Sequence, residues 1–115
     1  MTLELDDLDA LKDAAIRKFD DRLAHAAKDE PMDREVQQLL AELEQIYRVV
    51  VLLQKNETDM ERVAEIWGKM VAICDECARR LSALAAQRPA HRASHDRILD
   101  IRNAAEERRR LHSRA

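Results

Sequence analysis

The stretch from Met60 to Leu84, MERVAEIWGKMVAICDECARRLSAL, decides the fold of this chain. Its large apolar residues recur at alternating intervals of three and four, which is the a/d pattern of a heptad repeat. These residues are Met60, Val63, Trp67, Met70, Cys74, Cys77, Leu81 and Leu84. The pattern predicts one long helix over 58–88, with Thr58 and Glu61 as a capping box at its start and Pro89 just beyond its end.

Further apolar residues flank this heptad stripe, so the apolar face of the helix is wide. They are Ala64, Ile66, Val71, Ile73, Ala78 and Ala85. A face of this width requires two neighbouring elements. A helix of about 30 residues is ~45 Å long, whereas a compact sphere of this chain length is only ~35 Å across. We therefore expect an elongated molecule.

The same periodicity predicts three more helices, over 5–28, 31–55 and 91–112. The connections between them are short, and helices joined by short connections pack as antiparallel neighbours. The sequence thus predicts a single all-α domain over 1–115, an elongated antiparallel four-helix bundle with up-down-up-down topology. Helices 2 and 3 are long and central, and helix 4, poor in apolar residues and with Ser94 as a candidate N-cap, is the weaker element.

The composition agrees with this fold class. The 115 residues include one glycine, two prolines and three aromatic residues, and 46% of the chain is apolar and 37% charged. The longest apolar run, residues 49–53, is far shorter than the ~20 residues that span a bilayer. The N-terminus also lacks the basic and apolar regions of a signal peptide. We expect a cytoplasmic protein without a membrane partner, whose two cysteines are reduced thiols.

The valine-rich run over 49–53 is apolar on all sides and must be covered on more than one. Helix 4 has too few apolar residues to cover both this run and the wide face of helix 3. We therefore predict a homodimer that buries the surplus apolar surface of helices 2 and 3. The residues expected at its interface are Val49, Val51, Leu52, Ile66 and Ile73.

Cys74 and Cys77 form a Cys-x-x-Cys motif, followed by His91 and His95 at the spacing of a zinc finger. In a helical hairpin that turns near Pro89, the cysteines and histidines lie about 8 to 18 Å out of register along the axis. Ligands of one zinc ion lie within about 4 Å of each other. The pattern therefore predicts no zinc site, and we expect no bound metal or cofactor.

The segment from Cys74 to Leu81 is loosely similar to the CxxC site of the alkylhydroperoxidase D-like proteins, a resemblance that implies thiol redox chemistry. That family places a histidine four residues after the second cysteine, where this chain has Leu81. A second alternative is a soft-metal site, since Met70, Cys74 and Cys77 share one stripe and sulfur ligands prefer Cu(I). The structural interpretation is that both cysteines are small apolar core residues.

Charge is distributed unevenly along the chain. Residues 1–30, 31–77 and 78–115 carry net charges of −4, −5 and +6. The basic helix 4, with Arg102, Arg108, Arg109 and Arg110, is a candidate surface for an unidentified protein partner or, less favoured, for nucleic acid. Helix 4 has no Phe, Tyr or Trp that could stack on bases. An up-down-up-down bundle would also place helix 4 beside the acidic helix 1, so the asymmetry can be internal.

These patterns favour a structural or interaction protein that self-associates. No convincing catalytic set is present, so we expect the protein not to be an enzyme. Thiol-dependent redox or soft-metal chemistry is the alternative function, and nucleic-acid binding through helix 4 is the third.

Overall fold

A computed structural model of the chain describes residues 5–26 and 32–113. These residues form four α-helices and no strand. The helices are α1 (Leu5–His25), α2 (Asp33–Lys55), α3 (Met60–Gln87) and α4 (Pro89–Ser113). They pack as an elongated bundle that measures 49 × 28 × 15 Å. The predicted all-α four-helix bundle is confirmed.

The helix ends differ from the predicted ones by a few residues. α1 ends at His25, whereas the periodicity predicted helix through Lys28. The predicted end at Lys28 and the predicted start of helix 2 at Pro31 both lie outside the described residues. Within them, α2 begins at Asp33.

The cap of α3 is not the predicted one. Asp59, rather than Thr58, is the N-cap residue, and its Oδ1 accepts a hydrogen bond of 3.0 Å from the backbone N–H of Glu61. The backbone N–H of Asp59 in turn donates to Glu57 Oε1 at 3.2 Å. Aspartate is as good an N-cap as threonine or better, so the helix begins at Met60, two residues later than predicted.

α4 begins earlier than predicted, at Pro89. Proline fits the first turn of a helix because its missing N–H has no intrahelical acceptor there. The backbone N–H of His91 donates to the carbonyl of Arg88 at 3.1 Å, a bond that forms the first turn of α4. Arg88 is therefore the only residue between α3 and α4. Ser94, which we considered as an N-cap, lies within α4 rather than at its start. Its side chain is buried in the bundle and accepts a hydrogen bond from Gln37.

Ion pairs establish the relative directions of the helices. Lys18 binds Glu42 at 3.5 Å and Arg22 binds Glu35 at 3.2 Å, so α1 and α2 run antiparallel. Towards α3, α1 is linked by Lys12 to Glu76, by Asp20 to Arg80 and by Asp9 to Lys69, so these two helices are parallel. α1 therefore lies in the groove between α2 and α3.

α4 occupies the opposite groove between α2 and α3. Its Arg97 binds Glu44 of α2, and its Arg102 binds Asp75 of α3 at 2.9 Å. In the described part of the chain, α1 and α4 make no backbone approach to each other. The expectation that helix 4 lies beside helix 1 was therefore wrong, because the close packing of α2 on α3 separates them.

The core is centred on α3, whose buried residues lie on several sides of the helix. Trp67, Met70, Cys74 and Leu81 are completely buried, and the flanking Ile66 and Ile73 are each 3% exposed. The ring of Trp67 lies 5.6 Å from the ring of Tyr47 on α2, measured between centroids. The short turn between α2 and α3 makes these helices antiparallel neighbours, which places the two rings at the same level.

Small residues explain how α4 covers α3 with few large side chains. Ala78 and Ala85 of α3 and Ala105 of α4 are all buried, and the two helices stay close along their length. Small side chains bring helix axes nearer to each other. A few large residues of α4, among them Ile98 and Ile101, then complete the contact. α4 is therefore a full helix despite its sparse apolar pattern.

Gly68 lies in the middle of α3, where a Cβ atom would meet Arg109 Cδ at 3.5 Å, an ordinary van der Waals contact. Glycine in a helix interior costs about 0.5–1 kcal/mol relative to alanine because of its backbone freedom. We expect Gly68→Ala to raise the free energy of unfolding by roughly that amount. Urea denaturation measures this change. A loss of stability would instead show that Arg109 of α4 cannot accommodate a Cβ atom at position 68.

Leu81 is completely buried, whereas Leu111 is 63% exposed. We expect Leu81→Ala to lower the free energy of unfolding by about 2–5 kcal/mol, the cost of a buried leucine cavity. Leu111→Ala is the matched control and should change it by less than about 0.5 kcal/mol. Equal effects of the two substitutions in urea denaturation would contradict the position of the core.

Candidate functional site

The sulfur-bearing side chains of α3 lie inside the core. Met70 and Cys74 are completely buried, and Cys77 is 2% exposed. Burial raises the pKa of the Cys74 thiol to about 12, and burial likewise raises the pKa of the Cys77 thiol to about 12. Since the thiolate is the nucleophile and the metal ligand, these two cysteines are held in their unreactive form.

The motif histidines lie away from the cysteines. His95 lines a shallow surface groove with Arg79 and Ser82. The register set by the Arg102–Asp75 ion pair places His95 level with Ser82, more than one helical turn beyond Cys77. Asp75, adjacent to Cys74, is instead paired with Arg102 of α4. No group of three or more His, Cys, Asp or Glu side chains in residues 5–26 and 32–113 is arranged to hold a metal ion. The Cys-x-x-Cys and His-x-x-x-His segments are therefore not brought together.

Three of the four arginines proposed as a partner surface on α4 have contacts within α4. Arg109 and Arg110 both pair with Glu106, and the hydrogen bond from Arg109 to Glu106 is the largest cause that lowers the pKa of this carboxyl to about 2. Arg102 donates a hydrogen bond to its neighbour Asn103 and forms an ion pair with Asp75 of α3. The positive charge of the helix is thus partly neutralised by its own acids and by those of α3.

The fourth arginine, Arg108, lies over the indole of Trp67, with its guanidinium carbon 5.3 Å from the ring centroid. This is the geometry of a cation–π interaction. Trp67 is completely buried, and its Nε1 has no hydrogen-bond acceptor among the described residues. Arg108 and Tyr47 therefore hold the indole ring between α4 and α2.

The five residues predicted at a dimer interface fall into different environments. Ile66 and Ile73 are buried within the single chain and have almost no surface to offer a second copy. Val49 and Val51 are partly buried and pack against the core, on opposite sides of α2. Leu52 is 51% exposed. The wide face of α3 is thus covered by α4 and α2, and only α2 keeps exposed apolar surface from this set.

Leu11 of α1 joins Leu52 on the outside of the bundle. The ion pair between Lys18 and Glu42 sets the register of α1 against α2. Leu11 lies two turns before Lys18 on α1, and Val49 lies two turns after Glu42 on α2, so Leu11 is level with Val49. Leu52 follows Val49 by one turn on α2. Leu11 is 42% exposed. We refer to Leu11, Val49 and Leu52 as the α1–α2 seam.

The sequence patterns missed a buried polar contact at the other end of the bundle. His91 is 2% exposed, and its Nε2 lies 3.6 Å from Asp33 Oδ1, too far for a hydrogen bond. One turn along, Ser94 Oγ accepts a hydrogen bond of 3.0 Å from Gln37. The two contacts link the first two turns of α2 to the first two turns of α4. The three-residue interval between His91 and Ser94 was the only signal in the sequence that they share a face.

Comparison with known proteins adds no assignment. No protein-family model, no curated protein and no solved structure matches the chain. In the described residues, no helix is long and apolar enough to cross a membrane.

The burial of Cys74 and Cys77 predicts slow reaction with a thiol reagent. At pH 8, a thiol with a pKa of about 12 is ionised in roughly one molecule in ten thousand. We expect dithionitrobenzoate to react with the native protein roughly a hundredfold or more slowly than with the protein in concentrated guanidinium chloride. Rapid modification of the native protein would show that the thiols are accessible and would favour the redox alternative.

Proposed function

We propose that this protein is a small helical-bundle interaction protein that binds a second copy of itself through the α1–α2 seam. The observation that carries the proposal is the position of Leu11 and Leu52, which are both more than 40% exposed on adjacent helices and lie about one helical turn apart along the bundle. Single exposed leucines are common on protein surfaces. Exposed apolar residues grouped together on one surface, in contrast, mark an interaction site.

The position of the helices supports the same face. α3 and α4 cover each other closely along their length, whereas α1 buries one apolar face, with Leu8, Ile16 and Phe19, and is held at its flanks by ion pairs. Partly exposed pairs of this kind each contribute little stability, typically below about 1 kcal/mol. A second copy that covers the seam would remove additional apolar surface of α1 and α2 from water, which favours association.

Catalysis is not part of the proposal. The raised pKa of both thiols counts against the redox and soft-metal alternatives, because each requires thiolate. The acidic partners of Arg102, Arg109 and Arg110 similarly count against nucleic-acid binding by α4. A cytoplasmic location is included in the proposal, since the two cysteines are free thiols, as is usual in reducing compartments.

The oligomeric state of the purified protein tests the proposal. We expect sedimentation equilibrium at about 10 µM to report a dimer, a concentration at which a dissociation constant of 1 µM or below suffices. Leu52→Asp should convert the dimer to a monomer with unchanged helix content by circular dichroism, because it places a charge in the apolar contact.

Leu111→Asp is the matched control, because Leu111 is more exposed than Leu52 but lies on α4, whose described residues make no backbone approach to α1. This variant should remain dimeric. A wild-type protein that is monomeric up to about 200 µM, a dissociation constant in the millimolar range, would overturn the proposal.

A further inference from the structure

We propose that the two copies associate through α1, packed antiparallel about a two-fold axis, with Asp6 of each copy beside Arg17 of the other. This inference rests on the proposed self-association and specifies its geometry. The contact surface comprises the exposed face of α1 next to the seam. Its residues, all exposed, are Asp6, Ala10, Leu11, Ala14 and Arg17.

The charges on this face are self-complementary. Asp6 and Arg17 are eleven residues apart, which is three helical turns, so they lie on one stripe about 16 Å apart. Neither has an ion-pair partner among the described residues. An interface around a two-fold axis brings the same patch of both copies together in opposite orientation. Each copy then presents its acidic end to the basic end of the other, and two ion pairs form at once.

Small and apolar residues lie between the two charges. Ala10 and Ala14 are both exposed, and side chains of this size permit close approach of two helices. Leu11 is 42% exposed beside them. In the antiparallel arrangement, Ala10 of each copy lies opposite Asp13 of the other. Asp13 is already bound to Lys12 at 3.2 Å, so its charge does not require a partner in the second copy.

The face is continuous with the α1–α2 seam. Leu11 belongs to both, and it lies level with Val49 through the register of the Lys18–Glu42 ion pair. The second copy of α1 can therefore contact Ala10 and Ala14 with one side and Leu52 with the other. A parallel arrangement would instead align Asp6 with Asp6 and Arg17 with Arg17, which is repulsive.

Charge reversal tests the geometry. In Asp6→Arg and in Arg17→Asp, both symmetric ion pairs become contacts between like charges, so at low salt we expect each dimer to be about tenfold weaker or more. Asp100→Arg and Arg79→Asp make the same changes in net charge at exposed positions on α4 and α3. These matched controls should associate like the wild type, and circular dichroism checks that every variant keeps its helix content.

Combining the variants gives the decisive measurement. An equimolar mixture of Asp6→Arg and Arg17→Asp pairs a copy with two positive charges with a copy with two negative charges. We expect this mixture to form a heterodimer at a concentration at which neither variant self-associates. The double variant Asp6→Arg plus Arg17→Asp should self-associate like the wild type, because the exchanged pairs are again opposite in charge.

The outcomes separate this geometry from the proposed function. If the wild type dimerises and Leu52→Asp disrupts the dimer, but the mixture of charge variants forms no heterodimer, the antiparallel α1 contact is overturned and self-association stands. A monomeric wild type overturns both. Rescue in the mixture supports both, because no change within a single copy can produce it, and self-association of the double variant supports the same pairing.

Discussion

The burial of α3 on more than one side is the constraint on which the rest of the structure depends. Its heptad stripe and its flanking apolar residues together form a face too wide for a single neighbour. α2 and α4 each cover part of that face, and Trp67, in contact with Tyr47 from α2 and Arg108 from α4, marks where the three helices meet. The sulfur atoms of Cys74 and Cys77 are consequently in the core, and this position, more than the motif they form, determines their chemistry.

The uneven charge along the chain is largely resolved within the bundle. Acidic groups of α2 and α3, such as Glu44 and Asp75, bind arginines of α4. α1 contributes basic residues to its ion pairs with α2 and both basic and acidic residues to its ion pairs with α3. Partly exposed pairs contribute little free energy individually, but they do favour one register of each helix against its neighbours. A basic segment in the sequence therefore does not by itself indicate a nucleic-acid surface.

Much of the fold was predictable from the sequence, because helical periodicity and short connections are local properties. The antiparallel packing of α2 on α3 followed from the tight turn between them. The cap at Asp59 and the start of α4 at Pro89 did not follow, since neighbouring residues offered competing caps of similar strength. The sparse apolar pattern of α4 misled in another way. Buried alanines such as Ala78 and Ala105 bring helices close together, a contribution that a count of large side chains overlooks.

The sequence by itself determined the helical class, the number of helices and the central place of the stretch from Met60 to Leu84, because these depend on the 3.6-residue period and on turn chemistry. Only the tertiary structure decided which apolar surface stays exposed. Ile66 and Ile73 are enclosed by neighbouring helices, whereas Leu11 and Leu52, distant in sequence, stay exposed within about one helical turn of each other along the bundle. The physical reason is that exposure depends on which helices become neighbours. Helical period shows which residues share a face but not which helix covers it.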